Sequence, residues 1–124
     1  MGEWIKGIHH VNIRAAGSER FDEAVKFYTE VLGMELISLN VRENGAKSAM
    51  IDAGNSRMEI GMGTEDDILP QGAIRHFALG TDKVAEVTER VRAAGYEITR
   101  EPRPRRIAFC IGPCGEEIEI FYQE

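Results

Sequence analysis

The chain has 124 residues and a formal net charge of -6, with 43% hydrophobic and 29% charged residues. This composition predicts one globular domain over residues 1–124, and the acidic balance argues against a nucleic-acid partner, which needs clustered positive charge. No apolar run reaches the roughly 18 residues of a membrane span, no signal-peptide pattern begins the chain, and the two cysteines fit a reducing compartment. We therefore expect a cytoplasmic protein that does not bind membranes.

The first predicted strand, at about residues 5–15, separates its side chains into two faces. His10, Asn12 and Arg14 fall on one face, because side chains alternate along a strand. His9 falls on the other face, which is otherwise apolar and should pack on a helix. The polar face, with His10 and Arg14, is therefore expected to look into a cavity or solvent, and His9 is expected to be structural.

A helix is predicted next, because apolar residues recur at steps of three and four up to about Leu32. Ser18 is the expected N-cap, and Gly33 stands where a helix ends. Three short strands follow, and the turn at residues 43–45 has the Asn-Gly pair typical of a hairpin. The last of these strands carries Glu59 on its less apolar face.

The second half repeats the first after an acidic, turn-rich linker at residues 63–72. His76 lies in another predicted strand, a helix follows that ends at Gly95, and three strands follow, the last of which carries Glu119. The separation of the two histidines and that of the two glutamates differ by only a few residues, as loops of unequal length allow. The sequence thus predicts two tandem βαβββ modules, at about residues 5–62 and 73–123, in an α+β fold.

Each half offers one histidine and one glutamate at equivalent positions, and this set suits a divalent transition metal held octahedrally. Such a metal can polarise a carbonyl or stabilise an enediolate, while a nearby carboxylate moves a proton. A lone histidine on a strand is more often structural, but the matched pair in the other half favours ligands. Glu117 shares a face with Glu119 and is the rival ligand, although its counterpart in the first half is Arg57. Arg14 is either a solvated charge or a contact for a substrate carboxylate.

Four segments resemble the vicinal oxygen chelate superfamily, and within it glyoxalase I. The segments are Gly-Ile-His-His-Val at 7–11, Phe-Tyr-Thr-Glu-Val-Leu-Gly-Met at 27–34, Arg-His-Phe-Ala-Leu at 75–79 and Gly-Glu-Glu-Ile-Glu at 115–119. The resemblance covers nearly the whole chain. It implies two βαβββ modules whose curled mixed sheets surround a metal-binding cleft, with the metal site shared across a homodimer interface.

The resemblance also implies roles for individual residues. The metal ligands would be His10, Glu59, His76 and Glu119. Glu119 would be the base that moves a proton in a hemithioacetal of a 2-oxoaldehyde such as methylglyoxal, and Glu59 would have a second acid-base role. The compact length is closer to members that prefer nickel or cobalt, with zinc, manganese or iron as further options.

The resemblance implies that Arg14 contacts a glutamyl carboxylate of the substrate and that Arg105 is a second substrate contact. The family's asparagine shortly after Glu59 and its arginine shortly before His76 are absent, so the identity of the thiol stays open. The alternatives are an iron-dependent dioxygenase, a thiol transferase that confers antibiotic resistance, or a non-catalytic drug-binding protein. The two enzyme alternatives typically use two histidines and one glutamate, so a metal-bound Glu59 argues against them.

Overall fold

The computed structural model describes residues 8–64, 76–104 and 106–124. Most of the expected linker and Arg105 lie outside these ranges. The elements, in chain order, are β1 (His10–Ala16), α1 (Ser18–Lys26) with a π-helical turn (Phe27–Val31), β2 (Glu35–Val41), β3 (Lys47–Asp52), β4 (Arg57–Gly63), β5 (Phe77–Thr81), α2 (Val84–Ala93), β6 (Ile98–Arg100), β7 (Ile107–Ile111) and β8 (Glu117–Tyr122).

The strands form two four-stranded mixed sheets with the same topology. The order is β1-β4-β3-β2 in the first sheet, which with α1 forms module 1, and β5-β8-β7-β6 in the second, which with α2 forms module 2. In each sheet the first and last strands of the module pair in parallel, and the other pairs are antiparallel. The predicted α+β fold of two βαβββ modules is confirmed.

The ends of α1 show where glycine sets the chain path. Gly17 precedes the helix with φ 88°, and no side chain caps it, so the prediction of Ser18 as the N-cap is wrong. At the other end Gly33 has φ 72°, as its predicted position requires. The last turn is wide, and the Met34 amide donates to the carbonyl of Tyr28 at 3.0 Å.

The core lies between each sheet and its helix. Alternate residues of β1 and β4 are buried against α1, whereas the residues between them face the opposite side of the sheet. The buried apolar side chains of both modules belong to one cluster: Ile13, Ala15, Phe21, Ala24, Phe27, Tyr28, Ala49, Ile51, Met58, Ile60, Val84, Val91, Ala108, Cys110, Ile118 and Ile120.

The helical segment of module 1 also joins the two modules. The rings of Phe27 and Tyr96 pack edge to face with centroids 4.7 Å apart. The Arg90 guanidinium donates to the carbonyl of Val31 at 2.7 Å and to that of Glu30 at 2.9 Å. These carbonyls end the helical segment, where orphan acceptors and the negative end of the helix dipole favour a cation. We call the face of each sheet that lies away from its own helix the open face of that module.

Neither helix in the described ranges has the length and apolar character that a bilayer crossing needs.

Candidate metal centre

The first pair of predicted ligands lies on the open face of module 1. His10 begins β1, and Glu59 lies in the neighbouring parallel strand β4, where its register partner is Asn12. His10 Nε2 is 3.9 Å from Glu59 Oε1, and the Asn12 amide donates to that same oxygen at 2.8 Å. We call these three residues half-site 1. The neutral amide of Asn12 therefore holds Glu59 by one carboxylate oxygen and makes no bond to the other.

His9 departs from its expected place. It precedes the first residue of β1 and is exposed, so the prediction that it packs on the helix is wrong. Its Nδ1 lies 3.0 Å from Nδ1 of His10. Strand alternation could not place it because the strand begins only at His10.

The second pair lies on the open face of module 2, and we call His76, Glu117 and Glu119 half-site 2. The ring of His76 stands between the two carboxylates. Its Nδ1 is 3.4 Å from Glu117 Oε1, and its Nε2 is 3.3 Å from Glu119 Oε1. The ring of Phe109 packs edge to face against that of His76, with the ring centroids 5.2 Å apart. The Glu119 side chain is 15% exposed, compared with 34% for Glu59, so half-site 2 is the more enclosed.

The donor atoms fit a divalent cation in pairs. Two ligands at right angles on an ion, with bonds of about 2.1 Å, stand roughly 3 Å apart; the distance of 3.3 Å in half-site 2 is close to this, and that of 3.9 Å in half-site 1 is longer. Within residues 8–64, 76–104 and 106–124, no group of three or more side chains is placed to hold a metal. One chain therefore presents the four predicted ligands as two separate pairs.

Arg14 lies on the same face as half-site 1. It follows Asn12 on the exposed side of β1, and its guanidinium rests over Gly61, where a Cβ would come within 2.8 Å of Nη1. Arg14 also lines a surface cavity of about 200 Å³ together with Arg20 and Cys114. Among the described residues it has no carboxylate partner, and it is exposed. Arg105 lies outside the described residues.

A partly buried carboxylate that the sequence did not single out connects the modules. The Tyr28 hydroxyl donates to Glu116 Oε2 at 2.7 Å, and the Cys114 amide donates to Oε1 at 2.7 Å. Gly112 makes room for this group, since a Cβ there would meet the carboxylate at 2.5 Å. Burial raises the pKa of Glu116 and that of Tyr28.

The two cysteines flank this region, in surroundings that disfavour their thiolate forms. Burial, with Glu116 as a second cause, raises the pKa of Cys110 to about 11 and that of Cys114 to about 12. The thiolate is the nucleophilic form of cysteine, so both thiols are poor nucleophiles near neutral pH. The catalytic candidates are therefore the histidines and glutamates of the half-sites.

Comparison with known proteins identifies the family. The family model of the Glyoxalase/Bleomycin resistance protein/Dioxygenase superfamily matches residues 7–120. The chain belongs to this superfamily.

Curated relatives include proteins named as lyases. A lactoylglutathione lyase of Haemophilus influenzae is 34% identical over 112 residues, which are 80% of this chain and 82% of the relative. A probable lactoylglutathione lyase of Vibrio parahaemolyticus is 30% identical over 118 residues, 80% of each chain. An Arabidopsis thaliana lactoylglutathione lyase is 33% identical, but the chain spans only 39% of its length.

Solved structures share the fold over nearly the whole chain. The trypanothione-dependent glyoxalase I of Leishmania major has a TM-score of 0.78 at 25% identity, covering 95% of this chain and 87% of that one. The fosfomycin resistance protein FosX of Listeria monocytogenes has a TM-score of 0.76 at 21% identity, covering 94% and 93%. The second likeness establishes the fold alone.

Proposed function

We propose that the chain is a metal-dependent lyase of the glyoxalase I type. Its substrate would be the hemithioacetal that a thiol forms with a 2-oxoaldehyde such as methylglyoxal. The observation that carries this proposal is the pair of His and Glu side chains on the open face of each sheet, 3.9 and 3.3 Å apart. Relatives named lactoylglutathione lyase at 30 and 34% identity support the same reaction.

The cofactor in this proposal is a divalent metal ion held by His10, Glu59, His76 and Glu119. Two imidazoles and two carboxylates suit nickel or cobalt, our first choices, and also accept zinc, manganese or iron. Such an ion supplies Lewis-acid stabilisation of negative charge on the substrate oxygens. The residues fit in the type of their donor atoms, and the pair in half-site 2, at 3.3 Å, already has nearly the separation of neighbouring ligands.

Glu119 is the proposed base. It takes the proton from the carbon that carries the hydroxyl and the sulfur, and the proton is delivered to the neighbouring carbonyl carbon. The hydroxyl proton of the first carbon passes to the carbonyl oxygen of the second, so the first carbon becomes the thioester carbonyl, the second becomes an alcohol, and the reaction needs no external oxidant. The Glu119 side chain is only 15% exposed, which limits loss of that proton to water. Glu59 takes a second acid-base role, with its orientation fixed by the Asn12 amide at 2.8 Å.

Arg14 is the proposed contact for an anionic group of the thiol. Its guanidinium lies on the same face as half-site 1 and has no carboxylate partner among the described residues. A guanidinium binds a carboxylate with two parallel hydrogen bonds, so a thiol that carries a carboxylate fits this position. Arg105 remains a proposed second contact on the strength of the sequence resemblance.

We further propose a homodimer in which each metal site takes one half-site from each chain. A single chain leaves its two ligand pairs apart within the described residues. The edge strand β2 is exposed along its whole length and presents four apolar side chains, with Leu39 51% and Val41 63% exposed. Exposed apolar edge strands are sites where a second chain pairs or packs. The buried cluster that both modules share supports treating the chain as one domain in each protomer.

The activity is tested with protein loaded separately with nickel, cobalt or zinc. Methylglyoxal with glutathione should give a thioester that absorbs in the ultraviolet, and a panel of other thiols identifies the preferred one. A metal-loaded protein that is silent with every thiol, and that instead adds a nucleophile to fosfomycin, would replace this proposal with the antibiotic-resistance alternative.

The shared site is tested by mixing two inactive variants, His10→Ala and His76→Ala. In mixed dimers of a shared-site protein, one site takes both undamaged half-sites. Random exchange of chains should then restore about a quarter of wild-type activity, because half of the dimers are mixed and each has one intact site. Mixing that restores nothing, although mixed dimers are detected by mass spectrometry, would show that the site lies within one chain.

A further inference from the structure

Glu117 stands out in half-site 2 because it faces the nitrogen of His76 that points away from Glu119. Extending the parallel register of Phe77 with Ile118 by one residue sets His76 directly beside Glu117. The carboxylate oxygen is 3.4 Å from Nδ1, whereas Glu119 is 3.3 Å from Nε2. Each of the two glutamates therefore lies beside a different nitrogen of the His76 ring.

The Nδ1 atom needs an acceptor that water does not provide. It is shielded from solvent and makes no hydrogen bond within the described residues. A buried N–H without a partner costs on the order of 1 to 3 kcal/mol, and the imidazole carries its proton on Nδ1 whenever Nε2 binds a cation. Glu117 Oε1, at 3.4 Å, is the carboxylate oxygen beside it.

We propose that Glu117 is a positioning residue for His76. It accepts the Nδ1 proton, fixes the tautomer and the angle of the ring, and leaves Nε2 free for the metal beside Glu119. Carboxylates that bond the second nitrogen of a histidine ligand raise its basicity and hold its orientation. This inference rests on the proposed metal site, and it gives Glu117 a role other than that of a ligand.

Module 1 offers a matched contrast. The residue beside His10 in the register is Arg57, which cannot accept a proton, and the Nδ1 atom of His10 faces Nδ1 of His9 at 3.0 Å. A neutral imidazole is a weaker acceptor than a carboxylate. The contribution of Glu117 to metal binding should therefore exceed that of His9.

The test measures metal affinity and the tautomer of His76. Cobalt affinity, from competition with a coloured chelator, should fall about 10 to 100-fold in Glu117→Ala, be partly recovered in Glu117→Gln and fall less in His9→Ala. Nitrogen NMR of the zinc-loaded protein should show the proton of His76 on Nδ1 in the wild type and a changed Nδ1 resonance in Glu117→Ala. Circular dichroism confirms that each variant is folded.

Several outcomes would overturn the inference. Unchanged cobalt affinity in Glu117→Ala, while His76→Ala loses the metal, leaves Glu117 as a surface charge. Complete loss of metal in both Glu117 variants makes Glu117 a ligand. A wild-type protein that binds no cation overturns the proposed function instead, and the His76 tautomer of that metal-free protein then decides whether Glu117 holds the Nδ1 proton.

Discussion

The two half-sites place the same two residue types at equivalent positions of the register, although His10 begins β1 and His76 directly precedes β5, and they support these residues differently. In half-site 1 the amide of Asn12 holds the glutamate, with a donor-to-acceptor distance of 2.8 Å. The corresponding register partner of Glu119 is Ala78, which has no donor to offer. In half-site 2 the carboxylate of Glu117 faces the histidine, and the corresponding residue in module 1 is Arg57.

The two modules therefore restrain different ligands. Module 1 restrains its carboxylate, and module 2 restrains its imidazole. A carboxylate that takes up and releases a proton during the reaction must be free to turn toward the substrate, and the Asn12 amide restricts Glu59 whereas the register partner of Glu119 offers no side-chain donor. The comparison therefore favours Glu119 over Glu59 as the main base, and each variant below tests one side of it.

The largest effect is expected from Glu119→Gln. The substitution removes the base but keeps one oxygen, so kcat should fall about 10² to 10⁴-fold in steady-state assays. Metal content is measured in the same preparations, so that rates refer to loaded protein. Glu59→Gln is the matched control and should lose less, and a larger loss in Glu59→Gln would reverse the assignment of the two carboxylates.

A smaller effect is expected from Asn12→Ala, which frees Glu59. Metal affinity should weaken about 10 to 100-fold because the ligand loses the donor that orients it. Competition with a chelator measures the change. The reciprocal variant, Ala78→Asn, offers Glu119 an amide and should slow turnover while metal stays bound. If Asn12→Ala binds metal as the wild type does, the amide has no supporting role.

Gly61→Ala tests the position of Arg14 and should have a still smaller effect. The added Cβ would stand 2.8 Å from Nη1 and displace the guanidinium. Such a displacement should raise KM a few-fold for a thiol with a carboxylate and leave kcat unchanged, as loss of binding shared by ground and transition states does. Arg14→Gln removes the guanidinium altogether and should therefore give the largest rise in KM. A change in kcat alone would place Arg14 outside substrate binding.

The positions of the four candidate ligands could be predicted, because alternation along a strand and repetition of a module are both local patterns, whereas their role as ligands stays a prediction. His10 and Glu59, and likewise His76 and Glu119, do lie on shared faces. The supporting contacts of Asn12 and Glu117 depend on which residues stand side by side in neighbouring strands. That register is set by long-range pairing, which local patterns in the sequence do not specify.

Other features were beyond a local pattern for different reasons. The hydrogen bond between Tyr28 and Glu116 joins residues 88 positions apart. The need for glycine at position 112 follows from the Glu116 carboxylate, which leaves no room for a Cβ there. The cap at Ser18 was wrong because Gly17 takes positive φ and supplies the last non-helical residue itself. Hydrophobic pattern located the helix but could not fix its first residue.

The turns that precede β4 and β8 also differ between the modules. In module 1 the Asp52 carboxylate accepts from the Gly54 amide at 2.7 Å and remains in its own turn. In module 2 Glu116 bonds the Cys114 amide and also reaches Tyr28 of module 1. Only the second turn places a carboxylate in a largely buried position between modules.

This burial predicts a small pH dependence of stability. Burial raises the pKa of Glu116 above its ordinary value of 4.5, so the folded state holds its proton more tightly than the unfolded state does. The resulting stabilisation is complete below about pH 4.5 and is lost as pH rises through the higher pKa of the folded state. Glu116→Gln should therefore flatten the fall in free energy of unfolding over this range, as urea denaturation at a series of pH values measures.

Tyr28→Phe provides the opposite change at the same contact. The hydroxyl of Tyr28 donates to the carboxylate at 2.7 Å and lowers its pKa, against the larger effect of burial. Without that donor the pKa of folded Glu116 should rise further, and the loss of stability with increasing pH should become steeper than in the wild type. Superimposable curves for the wild type, Glu116→Gln and Tyr28→Phe would mean that the carboxylate is solvated, and that the two turns differ only in their path.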